Sequence, residues 1–318
     1  MLRVGARARL LLVLLVTGCA RGAAPAATEP GRDLDGVRVA ITFDDLGVDV
    51  ASVELERSRR ILAALHAAGA PPAVFANCVA LTPAALAAWK SAGAALGNHT
   101  ASHRDLDADD ALGKGADAAW WHDVESCHER LAAILGEPVR YFRYPYLRYG
   151  KDEVTKREAA RRLASLGYTI GHVTAATSDW LLAGYYETAL GRHDDVLASE
   201  LRAAYVEHMV STLRAARDLA VAKLGHDVPQ ITLMHVNRLA ADHVADVLSA
   251  LRARGVRFIS LPEALADPVY SLPDAYTGGC GCSWLARVAP PLTRGDTYVF
   301  GDDEDALRKR FEARVMHH

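Results

Sequence analysis

Short apolar runs alternate with longer segments of helical periodicity through most of the chain. A short apolar run bounded by turn residues is typical of a buried strand, whereas apolar residues three and four apart indicate an amphipathic helix. The pattern predicts seven strands, over residues 37–43, 73–76, 94–97, 140–143, 168–173, 230–234 and 256–259. It predicts helices over residues 54–68, 83–92, 117–135, 155–166, 195–224 and 241–254.

Strands that alternate with helices favour an α/β fold, in which parallel strands are joined by right-handed crossovers. Seven strands fit either a closed barrel or an open doubly wound sheet, and the pattern leaves both open. After about Asp267 the periodicity stops, and Pro, Gly, Cys and Trp dominate. We therefore expect a single α/β domain that ends near Asp267 and is followed by a C-terminal tail.

The N-terminus has the form of a secretory signal. Three arginines precede an apolar run over residues 10–16, which is too short to span a bilayer core of roughly 30 Å. The following V-T-G-C resembles a bacterial lipobox, which implies a signal peptide over 1–18, lipidation of Cys19 and a tether over 19–36. Since Ala20 rather than Asp follows the cysteine, the resemblance implies an outer-membrane lipoprotein; an ordinary signal cut a few residues later is the alternative.

Composition narrows the classes of partner. The chain has 318 residues, 51% of them apolar, and a formal net charge of −3. No long basic run is present, so a nucleic-acid partner is not expected. Four cysteines remain besides Cys19: Cys78, Cys127, Cys280 and Cys282. Their even number permits disulfides in an oxidising compartment, including a Cys280–Cys282 bridge, but C-G-C is unlike the usual spacing of a zinc site.

Polar residues follow several predicted strands closely. They are Asp44 and Asp45, His99 and His103, Arg143 and Tyr146, Asp179 and Trp180, and His235. In α/β barrels and open sheets alike, functional sites lie at the carboxyl ends of the strands. The pattern therefore indicates one site at one face.

Two adjacent aspartates at the end of an apolar strand require a compensating positive charge, because buried carboxylates are costly. His99 and His103 are four residues apart, so a helical turn would place both imidazoles on one face. Two imidazoles and one carboxylate suit zinc and leave a position for water. A divalent cation would neutralise the pair, with one aspartate as a ligand and the other free to accept a proton.

These segments carry a family resemblance. T-F-D-D, H-T-A-S-H, R-Y-P-Y, D-W and L-M-H occur in the order and rough spacing of the polysaccharide deacetylases, carbohydrate esterase family four. The resemblance implies a distorted seven-stranded (β/α) barrel as the catalytic domain, over residues 37–267. Residues 268–318 would then form a C-terminal extension packed on or beside the barrel.

The resemblance also implies roles for individual residues. The implied metal ligands are Asp45, His99 and His103. The implied proton-transfer groups are the base Asp44, oriented by Arg143, and the acid His235, tuned by Asp179. The implied contacts to the acetyl group are the backbone N–H of Tyr146, at the oxyanion, and the walls Trp180 and Leu233.

The sequence departs from the family pattern at two places. Leu46 stands between the aspartate pair and Gly47, where the family has Gly at once, and this insertion is expected to reshape the rim of the sugar groove. Val236 and Asn237 follow His235 in place of the common Asp. Neither change removes a catalytic group, so they bear on the choice of substrate more than on the chemistry.

The expected function is hydrolysis of acetyl groups, chiefly N-acetyl, from an envelope or extracellular glycan such as peptidoglycan or a chitin-like oligomer. The enzyme would be a polysaccharide deacetylase, a hydrolase of carbon–nitrogen bonds other than peptide bonds. Its cofactor would be Zn²⁺, with Co²⁺, Ni²⁺ or Mn²⁺ as alternatives. We expect a monomer in the periplasm, held at the outer membrane by its lipid. The alternatives are an O-acetyl esterase of the xylan type and a catalytically silent glycan-binding lipoprotein.

Overall fold

The structure is a computed structural model that describes residues 32–108, 116–277, 283–288 and 301–316. The predicted signal peptide, Cys19 and the first part of the tether lie outside the described residues, as do Cys280 and Cys282. Within those four ranges, no helix combines the length and apolar character needed to cross a bilayer.

A parallel sheet forms the centre of the molecule. Its strands are β1 (Arg38–Ala40), β2 (Phe43–Leu46), β3 (Ala73–Ala76), β4 (Ala95–Asn98), β5 (Tyr141–Phe142), β6 (Thr169–Ile170), β7 (Ala175–Ala176), β8 (Gln230–His235) and β9 (Arg257–Phe258). They run in the order β6-β5-β4-β3-β2-β8-β1-β9, and β7 pairs with the other edge of β8. The strands are short and mostly buried, as expected for a sheet covered by helices.

The helices follow the strands as crossovers and then form the tail. They are α1 (Ala51–Ala67), α2 (Pro83–Ser91), α3 (Ala116–Leu135), α4 (Glu153–Ser165), α5 (Asp179–Gly191), α6 (Asp195–Leu224), α7 (Arg238–Ala253), α8 (Leu261–Leu265), α9 (Trp284–Arg287) and α10 (Gly301–Met316). Local chemistry sets several of their starts. The side chains of Thr82, Asp194 and Asn237 accept hydrogen bonds from backbone N–H groups in the first turns of α2, α6 and α7.

The strands form an incomplete ring, in which β8 pairs with three other strands. Its first two residues pair with β1, and its last two pair with β2 in the same register. Its middle residues, Thr232 and Leu233, pair with β7 on the other edge. Strands β2 to β6 continue in chain order away from β8. Within the described ranges β6 and β7 are not paired, so the ring is open there. The predicted α/β class is confirmed, and the open ring is consistent with a distorted barrel.

The tail residues 283–288 lie against the open part of the ring. The backbone N–H of Trp284 donates to the carbonyl of Val173 at 2.6 Å, and Ser283 Oγ donates to the carbonyl of Thr174 at 2.8 Å. The Trp284 ring stacks on His172 with 3.7 Å between centroids. This segment therefore covers the chain between β6 and β7.

Two expectations about secondary structure are wrong. The predicted strand 37–43 is two strands, β1 and β2, which both pair with β8 but differ in their second partner, β9 for β1 and β3 for β2. Helix α5 was not predicted, because it is buried on several sides and lacks a clear amphipathic period. The tail contains the helix α10, which buries Leu307, Phe311 and Val315, three apolar residues at helical spacing.

The structure pairs two of the four candidate cysteines. Cys78, just after β3, forms a disulfide with Cys127 in α3. The sequence left the pairing open, because an even number of cysteines does not fix connectivity.

Candidate active site

The two aspartates occupy an irregular end of β2. Its pairing with β3 shifts register between Phe43 and Leu46, and Asp45 has a φ of 65°. Leu46 is fully buried and pairs with Ala76, so the inserted residue lies in the core. The expectation that the insertion reshapes the groove rim stays a prediction. Gly47 must be glycine, because an added Cβ would lie 1.9 Å from the carbonyl oxygen of Asn77.

Asp44 and Arg143 form a buried pair. Arg143 Nη1 donates to Asp44 Oδ1 at 2.6 Å and to Thr42 Oγ1 at 2.8 Å, while Nε donates to the carbonyl of Gly171 at 2.9 Å. Its guanidinium carbon lies 3.9 Å from the centroid of the Phe75 ring. Burial raises the pKa of Asp44, and the charge of Arg143 opposes that rise. The carboxyl group is thus more basic than an exposed aspartate and is fixed in orientation.

Asp45, His99 and His103 converge on one point. One potential ligand atom from each lies within 4.8 Å of the others. Asp45 Oδ1 is 3.7 Å from His99 Nε2 and 3.6 Å from His103 Nε2. That oxygen is buried and has no hydrogen-bond partner in the part of the chain that the structure describes. A buried carboxylate oxygen facing two imidazole nitrogens is what a divalent cation requires.

The protonation of His99 supports the same conclusion. Its Nδ1 lies 2.8 Å from the carbonyl oxygen of Arg143, which can only accept, so Nδ1 carries the proton and Nε2 keeps its lone pair. Burial, followed by the charge of His103, lowers the pKa of His99 to about 3. The ring is therefore neutral at ordinary pH. A fixed tautomer of this kind is usual for a metal-binding histidine.

The expectation that a helical turn brings the two histidines together is wrong. They lie in a loop after β4, in which Thr100 has a φ of 64° and His103 a φ of 58°. The backbone N–H of Thr100 donates to Asn98 Oδ1 at 2.7 Å, which turns the chain sharply after the strand. Spacing alone could not distinguish this loop from a helix.

His235 and Asp179 form a second charged pair beside the first. His235 ends β8 and is paired in register with Asp44. Its Nδ1 donates to Asp179 Oδ1 at 2.7 Å, and its backbone N–H donates to Asp179 Oδ2 at 2.9 Å. Burial alone would lower the pKa of His235, but the charge and hydrogen bond of Asp179 outweigh it and raise the pKa to about 9. The imidazole is therefore protonated at neutral pH.

Residues that the sequence analysis did not assign hold Asp179 in place. Thr177 Oγ1 lies 3.1 Å from Asp179 Oδ1, and Asn237 Nδ2 donates to Asp179 Oδ2 at 3.0 Å. His208 Nε2 accepts from the backbone N–H of Ser178 at 2.8 Å, at the start of α5. The position of Asn237, two residues after His235 and at the start of a helix pattern, was the available signal for one of them.

The three predicted contacts to the acetyl group differ in exposure. Tyr146 is 57% exposed and has a φ of 56°. Its ring centroid lies 4.4 Å from that of His103. Trp180 is 46% exposed and Leu233 is buried. The guanidinium of Arg308 in α10 lies 5.7 Å from the Trp180 ring centroid, which no motif could have indicated. Whether these residues surround an acetyl group stays a prediction.

Comparison with known proteins gives a family match. A family model described as polysaccharide deacetylase matches residues 31–171, which include Asp44, Asp45, His99, His103, Arg143 and Tyr146. Asp179 and His235 lie beyond the matched range. No curated protein matches the chain.

Several solved structures are similar to the chain. A polysaccharide deacetylase from Bacillus cereus is 16% identical, over 70% of this chain and 91% of that one, with a TM-score of 0.49. A mutant of a peptidoglycan deacetylase from Bacillus subtilis is 17% identical, over 73% and 92%, with a TM-score of 0.47. A family 4 pseudoenzyme from Bacillus anthracis is 15% identical, over 73% and 66%, also with a TM-score of 0.47.

Proposed function

The chain is a member of the polysaccharide deacetylase family, and from this premise we propose that it hydrolyses the N-acetyl group of an amino sugar in a cell-envelope glycan. Peptidoglycan and chitin-like oligomers are the substrates proposed. The observation that carries the proposal is that a cluster of potential metal ligands lies beside the groups proposed to transfer protons. The cluster of Asp45, His99 and His103 lies beside the buried Asp44–Arg143 pair, and His235 is in register with Asp44.

The Asp45–His99–His103 cluster fits a divalent ion, and we propose Zn²⁺, with Co²⁺, Ni²⁺ and Mn²⁺ as alternatives. When bound, such an ion supplies Lewis acidity, which lowers the pKa of water to about 7 in zinc hydrolases and polarises a carbonyl group. The buried, unpartnered Asp45 Oδ1 and the free Nε2 lone pair of His99 support this donor set in the described part of the chain.

Asp44 acts as the general base in this proposal. Arg143 occupies its Oδ1, so Oδ2, which lies 3.6 Å from His99 Nε2, is the oxygen assigned to take the proton from water. Burial raises the pKa of Asp44, which strengthens it as a proton acceptor, while Arg143 keeps the group aimed. The water oxygen attacks the acetyl carbonyl carbon as its proton moves to Asp44.

His235 acts as the general acid. It is protonated at neutral pH because Asp179 raises its pKa to about 9. It donates its proton to the sugar nitrogen as the carbon–nitrogen bond breaks, which yields acetate and a free amine. The backbone N–H of Tyr146 is proposed to stabilise the oxyanion, a contribution of roughly 3–4 kcal/mol per donor in well-studied enzymes. Trp180 and Leu233 are proposed as walls around the acetyl methyl.

The charged His235–Asp179 pair favours an amide over an ester substrate. An amine is a poor leaving group until it is protonated, whereas an alkoxide needs less help. An O-acetyl esterase of the xylan type is therefore the second candidate. The Arg-rich, apolar N-terminus and Cys19 support export and a lipid anchor, which would hold the enzyme at the outer membrane, within reach of peptidoglycan.

Acetate release from a panel of glycans tests the proposal. We expect release from peptidoglycan fragments or N-acetylglucosamine oligomers, loss of release with a chelator, and recovery with Zn²⁺. Asp44→Asn is the matched control, since it keeps the shape of the side chain and should release acetate about 10²–10⁴-fold more slowly. Release from acetylated xylan alone would select the esterase. Glycan binding without release by the wild-type protein would select a silent binding protein.

A further inference from the structure

We propose that the Cys78–Cys127 disulfide and Asp123 position the loop that carries both histidine ligands, and so set the affinity of the site for its metal ion. The inference rests on the proposed function, since the ion is the one assigned to Asp45, His99 and His103. It concerns positioning residues, because neither the disulfide nor Asp123 belongs to the ligand set.

Backbone hydrogen bonds to two neighbouring segments hold the middle of the loop in place. The carbonyl of Ala101, midway between the two histidines, accepts from the backbone N–H groups of Cys78 at 3.0 Å and Val79 at 2.9 Å. The backbone N–H of Ala101 donates to the carbonyl of Asp123 in α3 at 3.0 Å. One residue is thus held by the turn after β3 on one side and by α3 on the other.

The side chain of Asp123 adds two bonds to the next residue. Its Oδ2 accepts from the backbone N–H of Ser102 at 2.9 Å, and its Oδ1 accepts from Ser102 Oγ at 2.8 Å. Asn77, also in the turn after β3, donates from Nδ2 to the carbonyl of His99 at 2.7 Å. The same two segments therefore fix the loop at several points.

The disulfide joins these two segments covalently. Cys78 follows Asn77 in the turn after β3, and Cys127 lies one helical turn beyond Asp123 in α3. Both cysteines are buried. The disulfide therefore fixes the distance between the two segments to which Ala101 is hydrogen-bonded.

The loop needs such external support because its own backbone is unfavourable. Thr100 and His103 have φ angles of 64° and 58°, in the left-handed region that residues other than glycine seldom adopt. Such conformations persist only where the surrounding structure holds them. When the two segments can move apart, the loop is expected to relax, and the two Nε2 atoms then no longer face Asp45.

The experiment measures metal affinity directly, by chelator competition with Zn²⁺ and by the absorption spectrum of bound Co²⁺. For the Cys78→Ala/Cys127→Ala double variant, we expect the apparent dissociation constant to rise about 10–100-fold, as for other groups that orient metal ligands. Asp123→Ala should shift it in the same direction. Asp123→Asn should retain the wild-type value, because an amide can accept from the Ser102 N–H and donate to Ser102 Oγ.

Leu248→Ala is the control for general destabilisation. Leu248 is buried in α7, which packs on α1, α5 and α6, and its truncation leaves a cavity away from the loop. We expect Leu248→Ala to lower the melting temperature without changing metal affinity. Amide hydrogen exchange in metal-free protein supplies a second readout, with faster exchange at Ala101 and Ser102 in the double variant, faster exchange at Ser102 in Asp123→Ala, and no change at either residue in Leu248→Ala.

The outcomes separate the inference from the function on which it rests. Unchanged metal affinity in the folded double variant and in Asp123→Ala would overturn the positioning role and leave the deacetylase proposal intact. If the double variant does not fold, the comparison of Asp123→Ala with Asp123→Asn decides. Wild-type protein that binds neither Zn²⁺ nor Co²⁺ and releases no acetate would overturn both proposals.

Discussion

The two halves of the candidate site are built differently. The half proposed to bind the metal ion, the ligand half, consists of Asp45, His99 and His103. Asp45, at the irregular end of β2, and His103, in the loop after β4, have left-handed backbones. The proton-transfer half takes Asp179 from the first residue of α5 and His235 from the last residue of β8. Asp179 and His235 are bound to each other, and Asp179 is also held by Thr177 and Asn237. His99 and His103 instead lie in a loop, whose position depends on neighbouring segments. The ligand half is therefore the part of the site that its surroundings can loosen.

Each half of the site also shifts the pKa of one histidine, and the two shifts have opposite signs. Burial lowers the pKa of His99 to about 3, while Asp179 raises that of His235 to about 9. The imidazole of His99 is thereby kept neutral, as its proposed role as a ligand requires, and that of His235 is kept charged, as its proposed role as an acid requires. Both lie beside Asp44, so the difference arises from the partner of Nδ1, a carbonyl oxygen in one case and a carboxylate in the other.

Removing one histidine from each half gives the largest expected difference. His99→Ala should lose both the metal and acetate release, since a ligand is gone. His235→Ala should retain the metal and release acetate about 10²–10⁴-fold more slowly, because only the acid is lost. Elemental analysis and acetate release on both purified variants test this. A full complement of metal in His99→Ala would contradict the ligand assignment.

The sequence predicted the residues of both halves but not the backbone that positions them. It assigned residues to both halves from their places after predicted strands and from their resemblance to a family. It predicted a helical turn for the histidine loop, because a spacing of four residues does not reveal left-handed backbones such as that of Thr100. It missed α5 entirely, since a helix buried on several sides has no amphipathic period. The Cys78–Cys127 pairing depends on packing between distant segments, which no local pattern encodes.

Changing the charge of the partner carboxylate tests the proton-transfer half alone. In the wild-type protein His235 is protonated below a pKa of about 9, so activity that needs the acid should be present at neutral pH and decline above pH 9. In Asp179→Asn burial is opposed only by the charges of Asp45 and Asp44, so the pKa of His235 falls and the alkaline decline moves to lower pH. The pH dependence of kcat measures this shift, and Asp246→Asn, which removes the charge of a carboxylate that pairs with Arg202 between α7 and α6, serves as the control.

The same pair has a predicted effect on stability. A histidine whose pKa rises from 6.5 to about 9 on folding stabilises the protein fully below pH 6.5. That contribution is lost as the pH rises through about 9. Urea unfolding of metal-free protein at pH 6 and pH 9.5 should therefore show a greater pH dependence for wild type than for Asp179→Asn. An equal change in the free energy of unfolding between the two pH values in both proteins would mean that the pair does not titrate as described.

Asn237 links the proton-transfer half to α7 and carries the smallest expected effect. Its Nδ2 donates to Asp179 Oδ2 at 3.0 Å, and its Oδ1 accepts from the backbone N–H of Ala240 at 2.8 Å. Asn237→Ala removes both bonds, whereas Asn237→Ser keeps an oxygen that can cap the helix and loses only the donor to Asp179. Loss of a helix cap costs about 0.5–2 kcal/mol, so thermal unfolding should show the Ala variant as the less stable of the two.

Acetate release separates the second role of Asn237 from the cap. The backbone N–H of His235 still donates to Asp179 Oδ2 at 2.9 Å in either variant, so the carboxylate stays partly held and kcat should fall only modestly, by the same factor in both. Equal melting temperatures would show that the cap contributes nothing. A loss of activity in the Ala variant alone would show that α7, through its cap, holds His235 in place. That result would make the proton-transfer half as dependent on its neighbours as the histidine loop is.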